Sequence, residues 1–457
     1  ERSVNRLFSR SKCLSSSDMP YYPSLRLLYF GGVLSILAVV GHFLPFIFSL
    51  VQFGVLIVLT LALTDFLLLH RAGSRVICSR TMARRFSNGD DNEISLELRN
   101  GFSLRLLVKV MDQVPVQFQM RGFVLSNWVG PGTTQVEKYH LRPHTRGAYH
   151  FGDVILLLST ELCLIERKVM APGKEKVKVY PSFLGLDQIE LKAINSKINN
   201  TGIKRIRRIG QSTEFDTIKD YVIGDDPRHI NWFNTASSGK LMVNQYVDEK
   251  SQNVYCILDK SRIMKSPFEG LTLLDHSINA ALALMTVALR KDDNVGLMAF
   301  EQQMDTFLKA SKGSRQAYYL MESLYRETTT YKEPDFSELI LAISRHINQR
   351  SLLLLFTNFE SASSLERQLP YLKEMSKKHL LIVVYFRNTE LDEFARSQAE
   401  STREIYDQII ARQMLMEKLS IRKTLTKAGI RSLYTSPRHL STSIVNRYIE
   451  IKASREI

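Results

Sequence analysis

The chain has 457 residues, too many for one ordinary hydrophobic core, so two or three folded units are expected. Aromatic content of 9%, charged content of 23% and only 13 prolines exclude a largely disordered or collagenous chain. A net charge of +15 and a pI near 9.5 raise nucleic acid or an anionic membrane surface as a partner, but the basic residues are spread along the chain and gather beside its apolar segments.

Cys13, Cys78, Cys163 and Cys256 are far apart, with no CxxC pair and no zinc-type spacing, and read as reduced thiols of a cytosolic body. The sequence opens on Glu1, which leaves the start open between Met19 and a residue further upstream.

Residues 1–24 form an N-terminal segment, and residues 25–70 carry two apolar runs. Leu27 to Leu44 has no charge; Phe46 to Leu69 has only Asp65. About 20 helical residues match the hydrocarbon thickness, so two transmembrane helices are expected. Arg2, Arg6, Arg10, Lys12 and Arg26 precede them, Arg71, Arg75, Arg80, Arg84 and Arg85 follow, and the link from His42 to Pro45 has no Lys or Arg. The positive-inside rule then puts both flanks, and with them both termini and the soluble domains, in the cytoplasm, as a multi-pass protein of the cell (inner) membrane. Asp65 is expected to snorkel or to pair with Arg71 rather than to serve a proton relay.

Residues 71–182 read as a β-sandwich-like domain, clearest from about residue 85. Ile94, Leu96 and Leu98 alternate with polar residues, Asn100 and Gly101 intervene, and Leu104, Leu106, Val108 and Val110 resume the alternation. Period two with Asn-Gly between predicts a β-hairpin with a tight turn. His140 and His144 are four apart, but Pro143 argues against the helix that would make them a metal pair, so a turn is expected.

Residues 183–250 form a connector followed by a dense motif. KRIRR at 204–208 would face lipid or solvent rather than nucleic acid, given the membrane tether and the lack of any stacking-aromatic motif. From Thr213 the sequence reads TEFDTIKDYVIGDDPRHINWFNTASSGKLMV. Asp226 is suited to cap a helix that Pro227 opens and that ends near Ser238, with Gly239 just past the end. Glu214, Asp225, Asp226 and Arg228 are expected to form an ion-pair network around Trp232.

That motif, Glu214 with Phe215, Tyr221, then Gly224, Asp225, Asp226, Pro227 and Arg228, then Asn231 and Trp232 and the GKLMV strand, resembles the signature of the DUF58 family of membrane-linked proteins with a von Willebrand A-like end. The strings RGAYHFGDV, VKVYP, LDKSR and LRKDDNVGLMAF extend the resemblance over most of the chain. The resemblance implies a bacterial membrane protein that works with a MoxR-type AAA+ ATPase in assembly or maturation of client proteins. A non-enzymatic scaffold or adaptor is the role expected. No nucleophile elbow, phosphate loop or zinc motif competes with it.

Over residues 251–457, strands and helices alternate, which predicts a doubly wound, Rossmann-type α/β domain with a parallel sheet and a helical tail from about Leu391 to Ala428. Asp259 and Ser261 end the first strand, where the von Willebrand A resemblance implies a DxSxS metal motif. Ile263 replaces the third ligand, Thr357 and Asn358 stand where an aspartate is usual, and YKEPDFSEL lacks the threonine. A hard cation needs about six oxygens. The site therefore reads as degenerate, no cofactor is expected, and a divalent cation such as magnesium is disfavoured. An integrin-type, metal-dependent binding module is the alternative.

Overall fold

A computed structural model describes residues 21–43, 45–70, 75–120, 122–185, 214–223, 225–247, 251–399 and 401–454. The expectations for Cys13, the first basic flank up to Lys12, Arg71 and KRIRR lie outside the described residues. The chain divides into two compact units, Glu1–Tyr180 and Pro181–Ile457.

The first unit opens with strand β1 (Tyr21–Pro23), helix α1 (Leu25–Gly41) and helix α2 (Pro45–His70). A Cβ on Gly41 would lie 2.9 Å from the Phe48 amide nitrogen, so the bare backbone lets the two helices turn back on each other. Among the described residues, Phe46–His70 is the one stretch long and apolar enough to cross a membrane; α1 is shorter at 17 residues.

Ten further strands follow in this unit: β2 (Val76–Met82), β3 (Arg85–Ser87), β4 (Asn92–Asn100), β5 (Leu106–Asp112), β6 (Leu125–Val129), β7 (Thr134–Leu141), β8 (Gly147–Phe151), β9 (Val154–Ser159), β10 (Ile165–Ala171) and β11 (Glu175–Tyr180). They form sheets ordered β1-β10-β9-β5-β6, β2-β4-β7 and β3-β11-β8. Alternate residues of β4 and β5, from Ile94 to Leu98 and from Leu106 to Val110, are buried in a shared core.

The alternation was legible, but the hairpin expected at Asn100-Gly101 does not form. β4 pairs with β2 and β7, whereas β5 pairs with β6 and β9. Asn100 builds an arch between sheets instead: its amide nitrogen donates to the carbonyls of Leu104, Val129 and Gly130, and its oxygen accepts from the Phe102 amide. Gly101 is needed for close approach, since a Cβ there would sit 2.5 Å from the Arg75 carbonyl oxygen. Across the sandwich, Arg80 and Tyr139 both donate to the buried Asp112 carboxylate, and Arg80 also reaches the carbonyls of Gly173 at 2.9 Å and Gly152 at 3.0 Å. Burial raises the pKa of Asp112 in spite of both donors.

Asp65 corrects a second expectation. It does not snorkel; it is fully buried. The hydroxyl of Thr160 and the amides of Leu164, at 3.0 Å, and Ile165, at 2.9 Å, all donate to its carboxylate. Around it, Leu69 enters the sandwich core, Arg167 donates to the Leu69 carbonyl, and Ser24 caps α1 while donating to the Cys163 carbonyl. β1 pairs with β10, so the chain on both sides of the helical pair is fixed to one sheet.

The second unit begins with the antiparallel pair β12 (Glu214–Asp220) and β13 (Met242–Val247), with helix α3 (Trp232–Ser238) between them in sequence. Its main sheet contains β14 (Asn253–Asp259), followed in the chain by the two-residue strands β15 (Pro267–Phe268) and β16 (Leu271–Thr272), helix α4 (Leu273–Arg290), β17 (Asn294–Phe300), β18 (Met304–Ser311), α5 (Ser314–Arg326), α6 (Phe336–His346), β19 (Leu352–Phe356), α7 (Ala362–Lys378), β20 (Leu380–Phe386), α8 (Thr389–Arg396), α9 (Thr402–Lys427), β21 (Arg431–Thr435) and α10 (Leu440–Ser454). The sheet order is β18-β17-β14-β19-β20-β21, parallel except for edge strand β18. Central strands buried on both faces, such as LLLLF in β19, fit a sheet covered by helices on each side. The expected single tail helix is two, α8 and α9.

Removing the Asp65 carboxylate would orphan two buried amides, each worth about 1–3 kcal/mol. Asp65→Ala should therefore destabilise the full chain in detergent by about 3 kcal/mol, and Asp65→Asn by less, as measured by chemical unfolding. A cost for Asp65→Ala of under about 0.5 kcal/mol would contradict this role.

Candidate functional site

Parallel pairing aligns the carboxyl ends of β14, β17 and β19, with Asp259 opposite Phe300 and Leu258 opposite Phe356. This brings Asp259, Ser261, Glu301 and Thr357 to one edge of the sheet, the place where doubly wound sheets hold ligands. Asp259 is fully buried. One carboxylate oxygen accepts from the Thr357 hydroxyl at 2.6 Å and the other from the Ser261 amide at 2.9 Å. The Ser261 hydroxyl lies beside the same carboxylate but completes no hydrogen bond.

The threonines of the adjoining loop, Thr329 and Thr330, lie N-terminal to YKEPDFSEL, the segment that the sequence pattern aligns with the loop. The Thr330 hydroxyl donates to Glu301 at 2.6 Å, the Lys332 amide donates to the same carboxylate, and Thr329 donates to the Lys260 carbonyl. Lys260 is itself buried. Burial works against its charge, but Asp305 at 2.8 Å and Glu327 at 3.0 Å hold its pKa above the ordinary value.

Asn358 is engaged elsewhere. Its side-chain oxygen accepts from the Lys418 ammonium of α9 at 3.1 Å and from the Phe359 amide at 3.0 Å, and Lys418 also donates to the Phe359 carbonyl. Burial lowers the Lys418 pKa to about 8. These residues do not fit a six-oxygen cation shell. Each Asp259 oxygen already accepts a hydrogen bond, Ile263 is buried at the third position, where it offers no oxygen, and the Asn358 oxygen already receives a cation. No cluster of three His, Cys, Asp or Glu with metal-binding geometry occurs among the described residues.

The signature segment resolves into turns and caps. Asp226 caps a short 3-10 turn, Pro227–His229, by accepting from the Arg228 amide at 3.0 Å. The continuous helix expected from Asp226 to Ser238 is broken, because Ile230 is extended and bridges Val243. α3 starts afresh: Asn231 accepts from the Asn234 amide and donates to Asn244, and Gly239 ends the helix at φ 67°. Asp225 pairs with Lys219 at 2.9 Å and accepts from the Val222 amide, contacts that lower its pKa. Tyr221 donates its amide to the Leu241 carbonyl. Among the described side chains no ion pair joins Arg228 to Asp225 or Asp226, and Trp232 is 69% exposed; the Glu214 side chain, the remaining member of the expected network, lies outside the description. Glu214 stands opposite Val247 in register, and Gly224 lies outside the described residues.

Burial pushes the pKa of Asp259 from 3.8 up to about 6, against the hydrogen bonds of Ser261 and Thr357 and with the Glu301 charge adding to the rise. The fold thus favours the protonated form. The stability this supplies is complete below the unfolded pKa and is lost as pH rises through the folded one. Relative to Asp259→Asn, wild type should lose on the order of 2 kcal/mol between about pH 4 and about pH 7, measured by unfolding in chelator-containing buffer. A difference that stays flat across that range would contradict the burial argument.

Residues 217–404 match the family described as "Protein of unknown function DUF58". "Uncharacterized protein YeaD" of Bacillus subtilis (strain 168) is 21% identical over 171 residues, 37% of this chain and 40% of the relative, so the match spans less than half of that protein. Among solved structures, the conserved hypothetical protein BatB from Bacteroides thetaiotaomicron is similar at TM-score 0.30 and 13% identity, over 45% of this chain and 100% of that one. A CARDB domain from Pyrococcus furiosus is similar at TM-score 0.17 and 11% identity, over 24% of this chain and 96% of that one.

Proposed function

We propose that this chain, a DUF58 family protein across residues 217–404, is a membrane-anchored, non-enzymatic scaffold or adaptor. It presents a doubly wound, von Willebrand A-like domain to a cytoplasmic MoxR-type AAA+ ATPase during assembly or maturation of client proteins. α1 and α2 form its two-span anchor in the cell membrane, and the basic flanks keep both termini and the soluble units on the cytoplasmic side. The observation that carries the reading is the closed sheet edge at Asp259. The Asp259 carboxylate is fully buried and each of its oxygens accepts a hydrogen bond from its own loops, so the group is turned inward rather than offered to a ligand. Recognition then falls to the outer surface. α9 buries Gln408, Ala411, Ile421 and Leu425 but leaves Ile405, Tyr406, Ile409 and Ile410 at least half exposed.

The alternative is an integrin-type module in which a divalent cation completes the site. The Ser261 hydroxyl, buried and without a completed hydrogen bond, is the observation in its favour. Ile263 and the engagement of Asn358 by Lys418 weigh against it.

The two readings part in one experiment. Full-length protein purified from native membranes should retain the ATPase in excess chelator as well as in magnesium, and Asp259→Asn should retain it equally. Loss of the partner on chelation and in Asp259→Asn, with unchanged thermal stability, would replace the scaffold reading by the metal-dependent one. Absence of the ATPase under every condition would overturn the partner assignment.

A further inference from the structure

We propose that the end of the five-stranded sheet that holds Asp65 sits in the headgroup layer of the bilayer, with Trp128, Tyr22 and Leu162 as its interfacial anchors. The inference rests on the reading of α2 as a membrane-crossing helix. The helix residues from Phe46 to Thr64 rise about 28 Å at about 1.5 Å each, which already matches a hydrocarbon core of about 30 Å. Asp65 follows directly, and it is held by the loop between β9 and β10. That loop is therefore level with the membrane boundary rather than separated from it by a linker. α1 gives the same level independently, since its first residue, Leu25, comes two positions after Pro23, which pairs with Ile165.

Strand register extends that level across the sheet. Tyr22 stands opposite Glu166, Glu166 opposite Ser159, Ser159 opposite Leu107, and Leu107 opposite Trp128. Five strands at about 4.8 Å spacing make this row about 19 Å wide. Its two ends carry aromatic rings that face solvent, Tyr22 at 44% and Trp128 at 37% exposed, and Leu162 in the Asp65 loop is 39% exposed. The Arg105 guanidinium lies 5.2 Å from the Trp128 ring centroid, and Arg26 is exposed in the first turn of α1. Trp and Tyr rings with neighbouring arginines are the side chains that partition to the boundary between hydrocarbon and phosphate. Beside a helix pair that enters the bilayer at the same level, their exposed faces meet lipid headgroups.

The chain contains two tryptophans, so Trp232→Phe isolates Trp128. The full-length variant is placed in phospholipid vesicles whose acyl chains carry bromine either near the headgroup or deep in the hydrocarbon. Trp128 should lose roughly half of its emission to the shallow quencher and little to the deep one. If Trp232→Phe fails to fold, the wild-type emission minus that of Trp128→Phe gives the same reading. Protein that resists alkaline extraction from the vesicles, yet shows no quenching or deeper quenching by the buried bromine, would overturn the inference and leave α2 as a membrane helix. Protein released by alkali would overturn the crossing of α2, and the headgroup placement with it.

Discussion

The buried carboxylate of Asp65 is the constraint on which the N-terminal unit depends. An ionised group near the end of an apolar helix cannot face hydrocarbon, and leaving it unpaired in a protein interior costs several kcal/mol. Here the β9–β10 loop supplies three donors, two of them backbone amides that themselves need acceptors. Each side of the contact satisfies the other. Leu69, one turn on, then enters the sandwich core, and β1 continues the same sheet on the other side of the helices. The helical pair and the sandwich are joined by hydrogen bonds and packing rather than by a tether, so a displacement of one is a displacement of the other.

The second unit also buries a carboxylate. Asp259 receives a hydroxyl and an amide, and burial, with the Glu301 charge adding to it, raises its pKa. Lys418 and Lys260, the nearby cations, are committed to Asn358 and to Asp305 with Glu327. The sheet edge is thus held together by contacts among its own loops.

How much of this was legible follows from which signals are local. The order of strands and helices from Asn253 to Ser454 could be read because runs such as LLLLF and the apolar periodicity of the helices are local patterns. Asp259 and Ser261 could be placed because they are two residues apart at a strand end. Glu301, Thr330 and Lys418 could not: they reach the same edge from β17, from a loop and from α9, and only the parallel register of the sheet brings their elements together. Asn100-Gly101 misled for a related reason. The dipeptide marks a tight corner, but whether the chain returns to the same sheet or arches to another is decided by distant acceptors such as Val129. Asp65 likewise gave no sequence sign that its partners would be about a hundred residues away.

Hydrogen exchange at the amides of Leu164 and Ile165 tests the central claim most directly, because these two groups protect themselves only by donating to Asp65. In the full-length protein in bilayers, both should exchange as slowly as the paired amides of β9 and β10, and both should become fast in Asp65→Ala while the sheet amides stay protected. Exchange at the rate of an open loop in the wild-type protein would contradict the account and make the helices a tethered anchor.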